Sequence, residues 1–222
     1  MKTMSLPAQV ESAQPFVPGF DADTVIASAV ARQFFAQGYK FCARYLSLAD
    51  ESASDLSPGE ALDILNSGLA LMAVQHVREA GWLPNGTLGG QDGQNVVVNA
   101  LGVGFPPGVT IWCDLEGVAS TATAQDVIDH CTAWFNAVNS AGFLPGLYVG
   151  ANAILTGQQL YDLPFQHYWR SQSEVPDIPV RGYQLLQFFP STTANGIGID
   201  LDIVQTDREG GQAQWLRISP LT

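Results

Sequence analysis

Basic side chains are scarce in this chain. Nine Lys and Arg stand against 21 Asp and Glu among 222 residues, giving a formal net charge of −12. Phosphate backbones are bound by clustered Lys and Arg, so the composition argues against a nucleic-acid partner. Cysteine is also thin: Cys42, Cys113 and Cys131 form an odd set, each inside an apolar segment and none in a CxxC pair. Buried free thiols are expected, and a zinc site is not. No run reaches the roughly 18 apolar residues of a membrane span. The opening MKTMSLPAQVESAQPF holds no apolar block of signal-peptide length. The expected location is therefore the cytoplasm, or outside it by a signal-independent route. His76, His130 and His167 share no metal-triad spacing, and no GxSxG, Walker or GxGxxG signature is present. No metal or cofactor is expected.

What is present reads as a compact globular chain, with 46% hydrophobic and only 14% charged residues. Residues 1–17 read as a flexible extension and 18–222 as a single domain, expected to be a monomer. Eight β-like runs follow one another: 19–23, 40–46, 69–77, 109–117, 143–150, 165–171, 183–189 and 198–204. Helical patterns separate the earlier ones. Thr24 to Gln37 is amphipathic and stops at Gly38, and Ser57, Pro58 and Gly68 cap, open and end a second helix. Residues 93–102 and 123–142 read as two more. The Gly-rich NGTLGGQDGQ (85–94) reads as a mobile loop. Strands alternating with helices predict an α/β fold, a (β/α)8 TIM barrel irregular in its last βα units. A doubly wound open sheet is the second choice.

Three strands share a pattern that matters for function. Residues two apart on a strand share a face. In VTIWCDLE the positions Val109, Ile111, Cys113 and Leu115 are apolar, while Thr110, Trp112, Asp114 and Glu116 form the other face. In GIDLDIV the residues Ile199, Leu201 and Ile203 alternate with Asp200 and Asp202. In FDAD, Phe20 and Ala22 alternate with Asp21 and Asp23. In barrels of this kind the site lies at the C-terminal ends of the strands, where these acids would meet. Clustered carboxyls suit glycoside hydrolysis, since crowding and burial raise at least one pKa and keep an acid protonated near neutrality. They also suit Mg²⁺ or Ca²⁺. Tyr148 and Trp169, near strand ends, are candidates for stacking on sugar rings. Arg44 is expected to pair with Asp21 or Asp114, or to touch substrate. His130, on a helix beside apolar residues, reads as structural.

The motifs GFD (19–21), ARYLS (43–47), SPGEALDILNSGL (57–69), GVTIWCDLEG (108–117), PGLYVG (145–150), QLLQF (184–188) and GIDLD (198–202) occur in this order. Together they resemble the glycoside-hydrolase-like domain called domain of unknown function 1906, a TIM-barrel relative of the family 25 muramidases. The resemblance runs from about Pro18 to Asp207. It implies a glycosidase acting on bacterial cell-wall glycan, peptidoglycan in particular. Asp21, Asp114, Glu116 and Asp200 would be catalytic, with Glu116 in the acid position and Asp114 or Asp200 stabilising the N-acetyl group or the developing positive charge. Tyr148, Trp169, Gln187, Arg44 and Asp202 would bind substrate. The chain departs from the muramidases where Leu186 precedes Gln187 in place of a tryptophan, and where AVQHV (73–77) replaces a YHF-type motif. A barrel that binds glycan or a partner without turnover, and a metal-assisted hydrolase, are the alternatives.

Overall fold

The computed structural model describes residues 5–206 and 208–218. Its strands are β1 (Gln9–Ser12), β2 (Pro18–Ala22), β3 (Phe41–Leu46), β4 (Ala70–Gln75), β5 (Thr110–Leu115), β6 (Leu144–Val149), β7 (His167–Arg170), β8 (Leu185–Ala194), β9 (Ile197–Val204) and β10 (Gln214–Arg217). The helices are α1 (Ser28–Ala36), α2 (Pro58–Asn66), α3 (Gly86–Val103), α4 (Ala124–Ser140) and α5 (Gly157–Asp162). Strands β2 to β9 close on themselves, since β4 pairs with both β3 and β5 while β2 pairs with both β3 and β9. This is the predicted (β/α)8 barrel, and closure removes the open-sheet alternative. Its last units are irregular, as expected: no helix separates β7 from β8 or β8 from β9. In consequence β9 runs antiparallel to both neighbours. Among the described residues no helix is long and apolar enough to cross a membrane.

The alternation read from the sequence divides the core in two. Val109, Ile111, Cys113 and Leu115 pack with helix residues such as Phe34, Ile64, Val96 and Trp134 in the layer between strands and helices. Phe41, Met72, Trp112, Tyr148, Trp169 and Trp215 belong to the second cluster, inside the barrel. All three cysteines are buried and unpaired, in the first layer.

Two predicted features differ. Residues 85–94 are not a mobile loop. They form the first turns of α3, whose N-cap Asn85 accepts from Leu88 N at 2.9 Å. Their glycines serve close packing: a Cβ on Gly89 would run into the His130 carbonyl of α4, and one on Gly93 would lie 2.9 Å from Trp134 O. The predicted flexible extension is also tied down in part. Gln9–Ser12 pairs antiparallel with β10, and Ala13 is buried in the barrel-interior cluster. Pairing satisfies backbone groups on a strand of β10 that would otherwise be an open edge. Residues 1–4 and 219–222 lie outside those described.

Candidate active site at the barrel rim

Asp21 lies near the end of β2, Asp114 near the end of β5, and Glu116 one residue past β5's last, Leu115. Because β2 and β5 belong to the parallel set, these residues share the C-terminal rim. Asp200 reaches the same rim by another route. It sits midway along β9, and that strand's reversed direction puts it directly opposite Asp21 in the ladder. The same register pairs Asp202 with Gly19, one step deeper into the barrel.

Gln187 of β8 ties the acids together. Its Nε2 donates to Asp21 Oδ2 at 2.8 Å and to Asp200 Oδ2 at 3.2 Å. Its Oε1 accepts from Tyr148 Oη at 3.0 Å and from Gln172 N at 3.2 Å. The amide is thereby held with its donor end toward the carboxyls. Tyr45 Oη donates to Asp21 Oδ1 at 3.5 Å, and the Tyr45 ring stacks on His76 with centroids 4.5 Å apart. Trp169 Nε1 donates to Asp202 Oδ1 at 2.9 Å.

Glu116 is positioned by its neighbours' backbone. Its carbonyl accepts from Trp82 Nε1 at 2.8 Å, and Gly117 turns the chain with φ +66°. Gly150 leaves room for the side chain, since a Cβ there would stand 2.5 Å from Glu116 Oε2. The Glu116 carboxyl has no hydrogen-bond partner among the described residues and is half-buried. Two cavities open at the rim. One of about 350 Å³ is lined by Asp21, Asp200 and Tyr45; another of about 430 Å³ by Glu116, Gly117, Arg78 and Asn152.

Burial and crowding raise the carboxyls of Asp21, Asp114, Glu116 and Asp202 above the ordinary carboxylate range. Burial pushes the Asp21 carboxyl up to about 7, opposed by the Gln187 hydrogen bond and reinforced by the Asp200 charge. Asp114, 8% exposed, is pushed well above the usual carboxylate range by burial, then by Glu116 and Asp21. Its Oδ1 has no partner among the described residues. Burial raises Glu116, and Asp200 raises it further. Asp202 is likewise raised well above the usual range, by burial first and then by Asp21. Among the described residues no set of three His, Cys, Asp or Glu side chains is arranged to hold a metal ion.

Three sequence expectations are corrected. Arg44 meets neither Asp21 nor Asp114. It is fully buried in the outer layer, where its Nε donates to Glu60 of α2 at 2.6 Å and its other nitrogens to the Ala22 and Ser54 carbonyls. Its position on the face of Cys42 and Leu46, which points to the helices, explains this. Trp169 is 0% exposed and cannot stack on a ligand; Tyr148 packs edge-on against it at 4.8 Å and acts through its hydroxyl on Gln187. Asp202 is 3% exposed beneath the rim and is held by Trp169 rather than presented to a substrate. The residue that sequence reasoning passed over is Tyr45. Its signal was the same parity, since Phe41, Ala43 and Tyr45 form the inward face of β3.

Similarity to known proteins agrees with the barrel fold. No curated protein sequence matches the chain significantly. Among solved structures, the Mycobacterium tuberculosis Tat-secreted protein Rv2525c, in complex with L-tartrate, superposes with a TM-score of 0.66 at 16% identity, over 88% of this chain and 98% of that one. A muramidase from Trichobolus zukalii gives 0.60 at 15%, over 86% and 94%. A family 25 glycosyl hydrolase from Bacillus anthracis gives 0.56 at 16%, over 90% and 96%. At such identities these likenesses establish the barrel alone. The profile of the Rv2525c-like, glycoside hydrolase-like domain matches residues 32–205, the greater part of the chain, and the chain belongs to that family.

Proposed function

We propose that this barrel is a glycosidase acting on bacterial cell-wall glycan in the manner of a muramidase, with Glu116 as its general acid. The observation that carries the reading is the meeting of Asp21, Asp114, Glu116 and Asp200 at one rim, with Glu116 raised by burial and by Asp200. A raised carboxyl that is half-buried and has no hydrogen-bond partner among the described residues can hand its proton to a glycosidic oxygen. The other acids divide the remaining work by environment. Asp114, raised well above the usual carboxylate range by burial and by Glu116, is assigned to the substrate's N-acetyl group as a hydrogen-bond donor. Asp200 lines the cavity, and its Oδ1 has no partner among the described residues. It is therefore assigned to the positive charge that develops at the anomeric carbon. Gln187 keeps Asp21 and Asp200 in place. The chemistry needs no metal or cofactor.

Cell-wall glycan lies outside the membrane, so this reading places the site of action there, in keeping with the Tat-secreted nature of the similar Mycobacterium tuberculosis protein. One observation favours a second reading, a barrel that binds glycan without turnover: the net charge of −12 slows encounter with an anionic wall. Reducing ends released from purified peptidoglycan decide between them. The parent chain releases them, with or without EDTA, and Glu116→Gln releases none while its circular dichroism is unchanged. A parent that binds peptidoglycan but releases nothing makes the binding reading correct; activity lost with EDTA makes the hydrolase metal-assisted.

A further inference from the structure

The strand β8 is longer than its neighbours because it does not stop at the rim. It pairs with β9 through Phe188, loses register between Phe188 and Thr192, and resumes with Thr192 opposite Ile199, Thr193 opposite Gly198 and Ala194 opposite Ile197. The shift frees the hairpin from the barrel, so its outer part is an arm and not a wall strand. Asn195 and Gly196, both with positive φ, turn the tip. The tip is fastened to the body of the domain: Gln37, the C-cap of α1, and Asn195 exchange two amide hydrogen bonds of 2.9 Å. An arm anchored at both base and tip is a fixed surface.

The cavity of about 350 Å³ lies between this arm and the rim acids. Ser191, Thr192, Thr193 and Gly198 line it from the arm; Asp23 and Tyr45 line it from the barrel, beside Asp21 and Asp200. Hydroxyls on one side and an aromatic ring on the other fit the edges and face of a pyranose. The Tyr45 ring is backed by His76 and its hydroxyl is turned to Asp21, so it is braced from two directions. No Lys or Arg lines this cavity, whereas three Asp do. A sugar bearing a carboxylate would meet uncompensated negative charge here. The cavity beside Glu116 is lined by Arg78, but that guanidinium is already paired with Asp92 through its Nε and Nη2, and Glu79 lines the same cavity.

We propose that the space between Tyr45 and the β8–β9 arm is a subsite for a neutral, hydroxyl-rich sugar unit of the glycan. This deepens the glycosidase reading and rests on it for the ligand class. Gly198 supplies the test. A Cβ there meets nothing within 4 Å, and its φ is not in the left-handed region, so a large side chain enters the cavity without straining the fold. Binding is measured by calorimetry at neutral pH in the Glu116→Gln background, so that no turnover is required. The probes are a β-1,4-linked tetramer of N-acetylglucosamine and a tetramer of galacturonic acid, which carries a carboxylate on every unit. The neutral tetramer is expected to bind at least tenfold more tightly than the acidic one, and Gly198→Trp is expected to weaken it at least tenfold. Thr193→Trp, at an exposed position on the arm, is expected to do the same and guards against misfolding of the first variant. No binding of the neutral tetramer, equal binding by both tryptophan variants, or equal binding of the acidic tetramer overturns the subsite. Binding that behaves as expected in a protein whose parent form hydrolyses nothing leaves the subsite standing and refutes the catalytic reading alone.

Discussion

Asp21 is 3% exposed, between the Gln187 amide and the Tyr45 hydroxyl, and its carboxyl titrates near 7 against 3.8 for an unperturbed one. The folded state thus holds this proton more tightly than the unfolded chain. By linkage, the stability so gained is complete below about pH 4 and is lost as pH rises through 7. Asp114 and Asp202, raised in the same direction, add to the trend. Urea midpoints are therefore predicted to fall from pH 5 to pH 8, and Asp21→Asn, which cannot ionise, to make that fall shallower. An unchanged slope in Asp21→Asn would show that the acid is solvated and not enclosed. At this scale strand parity made Asp21, Asp114 and Asp200 legible from sequence, because apolar partners marked which face was which. It also held the answer for Arg44, whose neighbours Cys42 and Leu46 are apolar and outward. The presumption that a buried charge seeks a cleft acid obscured it, when Glu60 on α2 stood closer. Burial of Trp169 was not legible, since a strand-end aromatic gives no local sign of what covers it.

The elements most clearly written in the sequence are those with a strong period and a cap. Ser57 accepts from Glu60 N, and Thr123 and Asp126 form a reciprocal capping box, so α2 and α4 begin where the residues say. The helix α3 was half concealed because glycine lowers helix propensity and signals turns. What selected glycine was the close approach of α4, a tertiary cause with no local trace. Replacing Gly89 by Ala is predicted to destabilise the fold by about 1–3 kcal/mol through overpacking against the His130 backbone. Gly90 provides the control: a Cβ there only just touches Ala133, at 4.0 Å, so Gly90→Ala gains helix propensity and raises the urea midpoint. Equal effects at the two positions would contradict the packing account. The β8–β9 arm left one local trace, Pro190 within the register shift between Phe188 and Thr192, since proline in a strand is confined to edges and bulges.

Across the whole molecule the two ends of the barrel differ. At the N-terminal end β10 carries Trp215 into the interior cluster, where its ring lies 5.6 Å from Phe41, and β1 pairs along β10. The acids hold the opposite end, with cavities on either side of them. A closed base and an open acidic rim leave one end free for a polymer. Glu116, whose carboxyl is raised by burial and by the Asp200 charge, is the proposed proton donor of a glycosidase. The most direct test of that role is the rate of reducing-end release from purified peptidoglycan as a function of pH. Release is predicted to be greatest on the acidic side, to decline as pH rises through the elevated Glu116 pKa, and to stay at background throughout in Glu116→Gln. Release by Glu116→Gln that matches the parent, or none by the parent at any pH from mildly acidic to neutral, would contradict it.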